Sequence, residues 1–234
     1  QNIEKFTISN QIVSKTNQKV KLFLCPKYFK DISITNLFNY QASSKTDEII
    51  YFINDYAERG ALFPLIKQEI DILNIKNIIP GFLVQVNGLL RNKSKIRQIF
   101  PDHINQYGWQ NYSVQMLIEE GYRKEDKVYQ ILKLKEEIML TCHAYVEGQY
   151  YLGKMNRKEA ISYLKKHSFL DHYETELLLT YSDLELYYGI ENFIGIMEMN
   201  SIRREYERKM DINFNLLDFH NFFLINGSIP ANEL

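Results

Sequence analysis

The side chains best suited to acid–base or nucleophilic chemistry do not form a familiar catalytic motif in this sequence. Cys142 and His143 are neighbours in a helical pattern. Because adjacent helical residues point in different directions, we do not expect a thiolate–imidazole pair. Glu119 and Glu120 could join another carboxylate in acid–base work, but an exposed helix end also explains them. The sequence contains no nucleophile elbow, Walker A loop or dinucleotide-binding fingerprint.

Residues of the types that bind metals are also scattered along the sequence. The five histidines are His103, His143, His167, His172 and His220. The nearest two are five residues apart, which fits poorly with a shared helix face, whereas a zinc site needs about three converging donors. Cys25 and Cys142 lie far apart and outside any C-x-x-C pair, so we expect core thiols and leave a disulfide open.

Charge and hydropathy exclude several classes of protein. Lys and Arg number 28 against 29 Asp and Glu, which disfavours a nucleic-acid partner. No apolar run approaches the roughly 18 residues of a membrane span. The sequence opens on Gln1 without an initiator Met, as an exported protein does after signal-peptide cleavage. We expect a periplasmic or secreted protein, with a cytoplasmic location left open.

Residues 1–56 form the predicted strand-bearing portion. Two runs rich in β-formers, residues 19–25 and 48–54, predict strands. The polar residues 41–47 between them predict a loop that joins the two strands at a sheet edge.

Residues 57–234 predict a helical portion, continuous with the first as one domain. From residue 61 the apolar positions recur at three and four, and Pro80-Gly81 should break that helix before residues 84–90. A long amphipathic helix follows, with an inward stripe at Val128, Ile131, Leu132, Ile138, Met139, Cys142, Tyr145 and Val146. Asn156 and Glu159 predict a capping box, and three more helices are expected at residues 174–187, 192–209 and 216–225. The fold class is therefore mainly α with a small β-sheet near the N-terminus (α+β).

A basic run, residues 91–97, connects two of the predicted helices. A solvated loop explains it, and anion binding is the alternative.

Several motifs at consistent spacing carry a resemblance to a known family. They are Pro80-Gly81 with Gln85, Gly108-Trp109 with Tyr112, Gly121-Tyr122, residues 156–160, Gly195 followed by Arg203, and residues 214–230. From Phe23 onward the chain resembles the C-terminal part of the domain-of-unknown-function family 885, which is similar to zinc-dependent peptidases of the gluzincin type. The resemblance implies a shortened gluzincin-like scaffold, because family members are usually more than twice this length.

The zinc-binding positions of that family hold different residues here. The family motif His-Glu-x-x-Pro-Gly-His supplies zinc ligands and a general base, and this chain has Lys76, Asn77 and Phe82 at those places. The motif Glu-Gly-Trp-x-x-Tyr-x-Glu supplies the acidic ligand, and here its two acidic places hold Tyr107 and Val114. An ammonium group repels a cation, so the comparison implies no metal and no other cofactor.

Two further family positions, a His and a Tyr, correspond to Tyr151 and Asn192. Together with Tyr112 and Arg203 they are the candidates to line a remaining cleft, beside the polar Lys76, Asn77 and Tyr107.

These observations predict a pseudoenzyme whose cleft binds or scaffolds a peptide or protein partner. One alternative is a subunit that completes a two-chain metallopeptidase, in an oligomer or a complex with a family relative. Another is an enzyme with different chemistry in the same cleft.

Overall fold

The alternating runs near the N-terminus form strands of a small unit, Lys15–Lys67. The computed structural model describes residues 2–15, 19–24, 37–40, 48–53, 66–230 and 233. The strands are β1 (Lys19–Leu24), β2 (Leu37–Tyr40) and β3 (Glu48–Ile53). They have the order β1-β3-β2, with β1 parallel and β2 antiparallel to β3.

The pairing differs from the predicted one. β1 and β3 lie at the two alternating runs, and their register runs from Lys19 opposite Glu48 to Leu24 opposite Ile53. Parallel strands cannot be joined by a short loop, and the intervening chain contributes β2, which the sequence analysis missed. Residues 41–47 therefore connect β2 to β3 rather than β1 to β3, and they lie outside the described residues.

The larger unit, Gln1–Ser14 with Gln68–Leu234, is helical. Most of the described chain is helix, which confirms the mainly α class. The helices are α1 (Asn2–Ser9), α2 (Lys67–Asn77), α3 (Phe82–Arg91), α4 (Lys95–Ile99), α5 (His103–Glu119), α6 (Lys127–Tyr151), α7 (Arg157–His167), α8 (His172–Leu184), α9 (Tyr188–Met210) and α10 (Leu216–Asn226), with a 3-10 turn at Asp211–Asn213. Among the described residues, no helix is both long and apolar enough to cross a membrane.

The first residues belong with the helices and not with the strands. Helix α1 buries Ile3 and Thr7. The Ile12 side chain is also buried, and its carbonyl oxygen lies 2.6 Å from His220 Nδ1 on α10. The predicted strand-bearing portion therefore loses its first 14 residues to the helical unit, and its predicted end at residue 56 lies outside the described residues.

Most of the helix ends follow from local sequence. Asp102, Asp126 and Asp171 accept hydrogen bonds from backbone N–H groups in the first turns of α5, α6 and α8, which stabilises those helix starts. The predicted capping box of Asn156 and Glu159 is confirmed at α7. The predicted break falls between α2 and α3, while residues 61–65 of the first predicted helix lie outside the described residues.

Two helical predictions need correction. The inward stripe on α6 is only partly inward, because Ile131, Ile138 and Tyr145 are exposed. This 25-residue helix meets different neighbours along its length, so one stripe does not describe its buried face. The basic run was predicted as a loop, yet it contains the N-terminal part of helix α4, which Ser94 caps through Arg97 N.

Helices α5 and α9 form the centre of the larger unit. They cross at Gly108 and Gly195, where an added Cβ on either residue would overlap backbone atoms of the other helix. Trp109, on α5 beside this crossing, is fully buried and donates through Nε1 to the carbonyl oxygens of Pro80 (3.0 Å) and Gly81 (3.1 Å). These two hydrogen bonds hold α5 against the turn between α2 and α3.

Candidate ligand-binding groove

Helices α5, α6 and α9 line a groove of about 300 Å³. Its apolar wall includes Val114 from α5, Leu140 from α6 and Phe193 from α9. Its polar lining includes Asn111 and Glu136. Apolar walls with a few polar groups are typical of ligand sites, although this volume is at the small end of their range.

Lys76 reaches the side of this groove from the last turn of α2. Its Nζ lies 3.3 Å from Oε2 of Glu136, and the two side chains are 16% and 30% exposed. Glu136 also lines the groove. The ammonium group is therefore held by a carboxylate at the groove, in a partly buried ion pair.

Three other positions singled out from the sequence are engaged within the fold. Asn77 donates through Nδ2 to the carbonyl oxygen of Leu73 in its own helix. Phe82 is the half-buried first residue of α3, and Val114 is a buried part of the groove wall. The Asn77 amide thus donates to the backbone of its own helix, and the side chains of Phe82 and Val114 are hydrocarbon.

A buried pair of amides lies beside the groove. Asn111 Nδ2 donates to Asn192 Oδ1 (2.9 Å), and Asn192 Nδ2 donates to the carbonyl oxygen of Tyr188 (2.8 Å). Asn111 Oδ1 is buried and has no hydrogen-bond partner in the described part of the chain. Asn192 therefore orients the side chain of Asn111. The Oδ1 atom of this groove-lining amide accepts no hydrogen bond from the described residues.

Tyr107 lies outside the groove, in a cluster at the start of α9. Its hydroxyl donates to Glu185 and its ring meets that of Tyr188 edge-on at 5.3 Å. Burial, together with Glu185, raises the pKa of Tyr107 well above its usual range. The phenol therefore stays protonated and acts as a hydrogen-bond donor to the carboxylate.

An imidazole and two carboxylates meet next to Tyr107. His103 Nδ1 lies 3.7 Å from Glu191 Oε2 and 4.0 Å from Glu185 Oε1. The three potential ligand atoms lie within 4.8 Å of one another. Half of the His103 side chain is exposed, and Glu185 already accepts from Tyr107, so an ion-pair cluster explains the arrangement. No local sequence pattern predicts this cluster, because its residues come from separate helices and a turn.

Tyr112 lies in the core and not at the groove. Its buried hydroxyl is 2.9 Å from His220 Nε2, and His220 Nδ1 is 2.6 Å from the carbonyl oxygen of Ile12. A carbonyl can only accept, so Nδ1 carries the proton and Nε2 accepts from the tyrosine. Burial lowers the pKa of His220 to about 4, which keeps the ring neutral.

Arg203 stacks over the same tyrosine. Its guanidinium carbon is 5.7 Å from the centre of the Tyr112 ring, and its nitrogens pair with Glu207 (2.8 Å) and Glu119 (3.6 Å). The guanidinium is therefore engaged by two carboxylates and a ring face, away from the groove-lining residues.

Tyr151 supports the turn that precedes α9. Its hydroxyl donates to the carbonyl oxygen of Ser182 (2.6 Å) and lies 3.4 Å from the backbone nitrogen of Tyr187. Tyr187 has a positive φ of 69°. Nearby, the buried Glu147 accepts from the backbone N–H of Ile190 at 2.8 Å, a favourable place for a carboxylate at a helix N-terminus.

The structure thus brings only some of the predicted positions to one place. Val114 lines the groove, Lys76 reaches it through Glu136, and Asn192 reaches it through Asn111. Six others are not among the residues that line it, namely Asn77, Phe82, Tyr107, Tyr112, Tyr151 and Arg203. Asn111, Glu136 and Phe193 were not predicted as site residues, because only the packing of α6 and α9 against α5 places them there.

The sequence of this chain matches a known family. The chain belongs to the bacterial proteins of unknown function termed DUF885, whose family model matches residues 32–234. This confirms the family resemblance.

Two solved structures share the fold. A proposed lipoprotein from Colwellia psychrerythraea matches with a TM-score of 0.83 and 20% identity, over 99% of this chain and 40% of the other. A proposed lipoprotein of unknown function from Shewanella oneidensis matches with a TM-score of 0.78 and 19% identity, over 98% of this chain and 42% of the other. The chain thus spans less than half the length of either protein. No curated protein matches it.

Proposed function

We propose that this chain is a non-catalytic relative of zinc peptidases, and that it binds a peptide or an extended protein segment in the groove between α5, α6 and α9. The single observation that carries the proposal is the ion pair of Lys76 with Glu136 at that groove. The proposal takes from the sequence resemblance that Lys76 corresponds to a zinc-binding histidine. On that basis an ammonium paired with a carboxylate would replace the metal of a peptidase.

The residues at the five replaced positions do not fit zinc. A zinc site needs about three imidazole, thiolate or carboxylate donors around one point. Here the side chains are an amine, an amide, a phenyl ring, a phenol and an isopropyl group, at Lys76, Asn77, Phe82, Tyr107 and Val114. Glu136 is a carboxylate near this place, but Lys76 already neutralises it. No catalytic step through a metal is therefore proposed.

The lining of the groove suits a peptide. Val114, Leu140 and Phe193 can receive an apolar side chain, while Asn111 and Gln115 provide amide groups. A peptide backbone carries N–H donors and carbonyl acceptors at short intervals, so amide side chains are suitable partners for it. The unused buried acceptor of Asn111 supports a role in ordering such a ligand after a small shift of its side chain.

Panning of a random peptide library tests the binding proposal. We expect wild-type protein to enrich related sequences, and Val114→Trp to abolish the enrichment because the indole fills the groove. Ile212→Trp is the matched control, since Ile212 is almost fully exposed and lies outside the groove lining. Equal enrichment by wild type and Val114→Trp, or no enrichment by wild type, would reject the groove as the binding site. Elemental analysis of the same preparations should find no stoichiometric zinc.

A second candidate function is that of one subunit of a two-chain metallopeptidase. Helix α6 carries three exposed apolar side chains at spacings of three and four, Ile131 (64% exposed), Leu134 (53%) and Ile138 (36%). An exposed apolar stripe on a helix is typical of an interaction surface. The solved relatives contain further chain that could cover such a stripe, because this protein matches about two fifths of their length.

Mixing experiments distinguish the two functions. The part of the Colwellia protein that this chain does not match is produced as a separate polypeptide and added to the purified chain. A stable complex in light scattering, with zinc-dependent casein hydrolysis, would favour the two-chain enzyme. Two separate species without hydrolysis would count against it and leave the groove-binding proposal unaffected.

We also propose an exported location at the cell envelope, in line with the sequence analysis. The support is the description of both structural relatives as proposed lipoproteins. Cell fractionation with an antibody to the chain tests it, and a purely cytosolic signal would contradict it.

A further inference from the structure

We propose that the connector between α3 and α5, residues 91–100, docks onto the surface of an anionic lipid bilayer. This 91–100 connector contains helix α4. Its residues 91–97 were predicted from sequence as a solvated loop, with anion binding as the alternative. Its role is separate from the groove, and it does not depend on the peptide-binding proposal.

Three large apolar side chains project from the connector into solvent. Ile96 is 72% exposed, Ile99 is 67% exposed and Phe100 is 75% exposed. The backbone N–H of Phe100 still bonds to the carbonyl of Ile96 at 2.9 Å, so all three residues lie on one helical turn. Residues three and four apart share a helix face, and the connector therefore presents one apolar tip.

Four cations lie close to this tip in sequence. Arg91, Lys93, Lys95 and Arg97 occur within residues 91–100, and that stretch contains no Asp or Glu. The whole chain has a formal net charge of −1, so the connector is a local departure from its charge balance. Across the described ranges, none of the four forms an ion pair with a carboxylate. Arg91, Lys93 and Lys95 are exposed, so their charge is available to an anionic surface, while Arg97 is half-buried.

The connector is anchored by its polar side chains, so its exposed residues are not a frayed end. Asn92 Nδ2 donates to the carbonyl oxygens of Ile225 (2.9 Å) and Asn226 (3.1 Å) on α10. Arg97 donates to the Asn226 carbonyl at 2.6 Å, and Gln98 donates to the Asn92 carbonyl at 2.8 Å. Ile225, whose carbonyl oxygen accepts from Asn92, is itself 67% exposed.

The combination of charge and hydrophobicity favours a bilayer over a protein partner. Protein interfaces enrich aromatic residues and Arg but are depleted in Lys. Bilayer-binding segments instead combine apolar residues, which enter the headgroup boundary, with Lys and Arg, which face anionic headgroups. Two of the four cations here are lysines flanking the tip, Lys93 and Lys95. Because the connector is positively charged, its binding partner is anionic phospholipid.

Vesicle flotation tests the proposal with the full chain. The probes are vesicles of phosphatidylcholine alone and of phosphatidylcholine mixed with phosphatidylglycerol. We expect binding only to the mixed vesicles, with salt weakening it because counterions screen the charges. Lys93→Gln combined with Lys95→Gln should weaken binding about fivefold per cation removed, and Ile99→Ser combined with Phe100→Ser should reduce binding to the background of phosphatidylcholine.

Two matched variants control for general loss of charge or apolar surface. Lys165→Gln with Lys166→Gln removes two exposed cations from α7, and Ile131→Ser with Leu134→Ser removes two exposed apolar residues from α6. Both should bind mixed vesicles like wild type. The proposal is overturned if wild type does not float, or if connector and control variants lose binding equally. It is also overturned if the connector variants abolish only a self-association seen in light scattering, because the tip would then be a protein interface.

Discussion

Gly108 and Gly195 face each other where helices α5 and α9 cross, and neither position has room for a Cβ. An added Cβ on Gly108 would overlap the carbonyl oxygen of Gly195, and one on Gly195 would lie 2.6 Å from the nitrogen of Gly108. Both glycines belong to the motifs that carried the family resemblance. Their role is thus to let two helix backbones touch, which places the neighbouring residues of α5 and α9 around the groove.

The first prediction concerns this crossing. Gly195→Ala should destabilise the protein by about 3 kcal/mol or more, because the methyl group meets backbone atoms that cannot move aside. Urea unfolding followed by circular dichroism measures the effect. Gly148→Ala is the control: it lies inside α6 and its added Cβ meets nothing within 4 Å. There alanine should stabilise by about 0.5–1 kcal/mol, and an equal loss in both variants would contradict the explanation.

The second prediction tests the proposed relationship to zinc peptidases. Lys76→His, Phe82→His and Val114→Glu together introduce three donors at the positions where the sequence resemblance implies zinc ligands. If the frame is kept, the triple variant should bind stoichiometric zinc, detected by elemental analysis after dialysis, and zinc should raise its Tm through mass action. The double variant without Val114→Glu should bind much more weakly. A folded triple variant with no zinc affinity would refute the inherited geometry.

The third prediction is a loss of stability in mild acid. Burial lowers the pKa of His143 and of His220 to about 4 each, whereas an unfolded histidine titrates near 6.5. The unfolded state therefore binds more protons between pH 6.5 and 4, and stability falls as pH decreases through that window.

At its full extent this effect is on the order of 3 kcal/mol for each histidine. Urea unfolding at pH 7 and pH 4.5 should show the loss, and His143→Gln should reduce the slope by close to one proton. His143 Nε2 lies 2.9 Å from Ser182 Oγ, so glutamine can keep a polar contact there. An unchanged slope in His143→Gln would show that another group causes the acid sensitivity.

The fourth prediction concerns the hydroxyl of Tyr112. Tyr112→Phe leaves His220 Nε2 buried without its partner, which should cost about 1–3 kcal/mol. Tyr145→Phe is the control, because Tyr145 is half exposed and its change should stay within about 0.5 kcal/mol. Thermal unfolding of both variants measures the change in stability. An unchanged stability of Tyr112→Phe would mean that the hydrogen bond between Tyr112 and His220 contributes nothing.

Local patterns predicted the helical elements better than the small strand-bearing unit. The caps at Asn156 and the break before Phe82 involve residues within a few positions of each other, so they are readable from sequence. Strand β2 and helix α1 were missed, because short segments carry little periodicity. The inward stripe on α6 was misjudged at Ile131, since burial there depends on which helices lie alongside.

The groove also has features that residue identity alone predicts and features that depend on packing. That Lys76 and Val114 are not of zinc-ligand type follows directly from residue identity. That Lys76 pairs with Glu136, 60 residues away, and that Asn192 acts through Asn111 required the packed helices.

By itself, the sequence determined a mainly helical member of a recognisable family. These features reside in residue types and short spacings. Only the tertiary structure decided that Val114 lines a groove while Tyr112 is buried in the core two residues earlier. The physical reason is that successive helical positions point in different directions, and the packing of distant helices decides which direction faces a ligand.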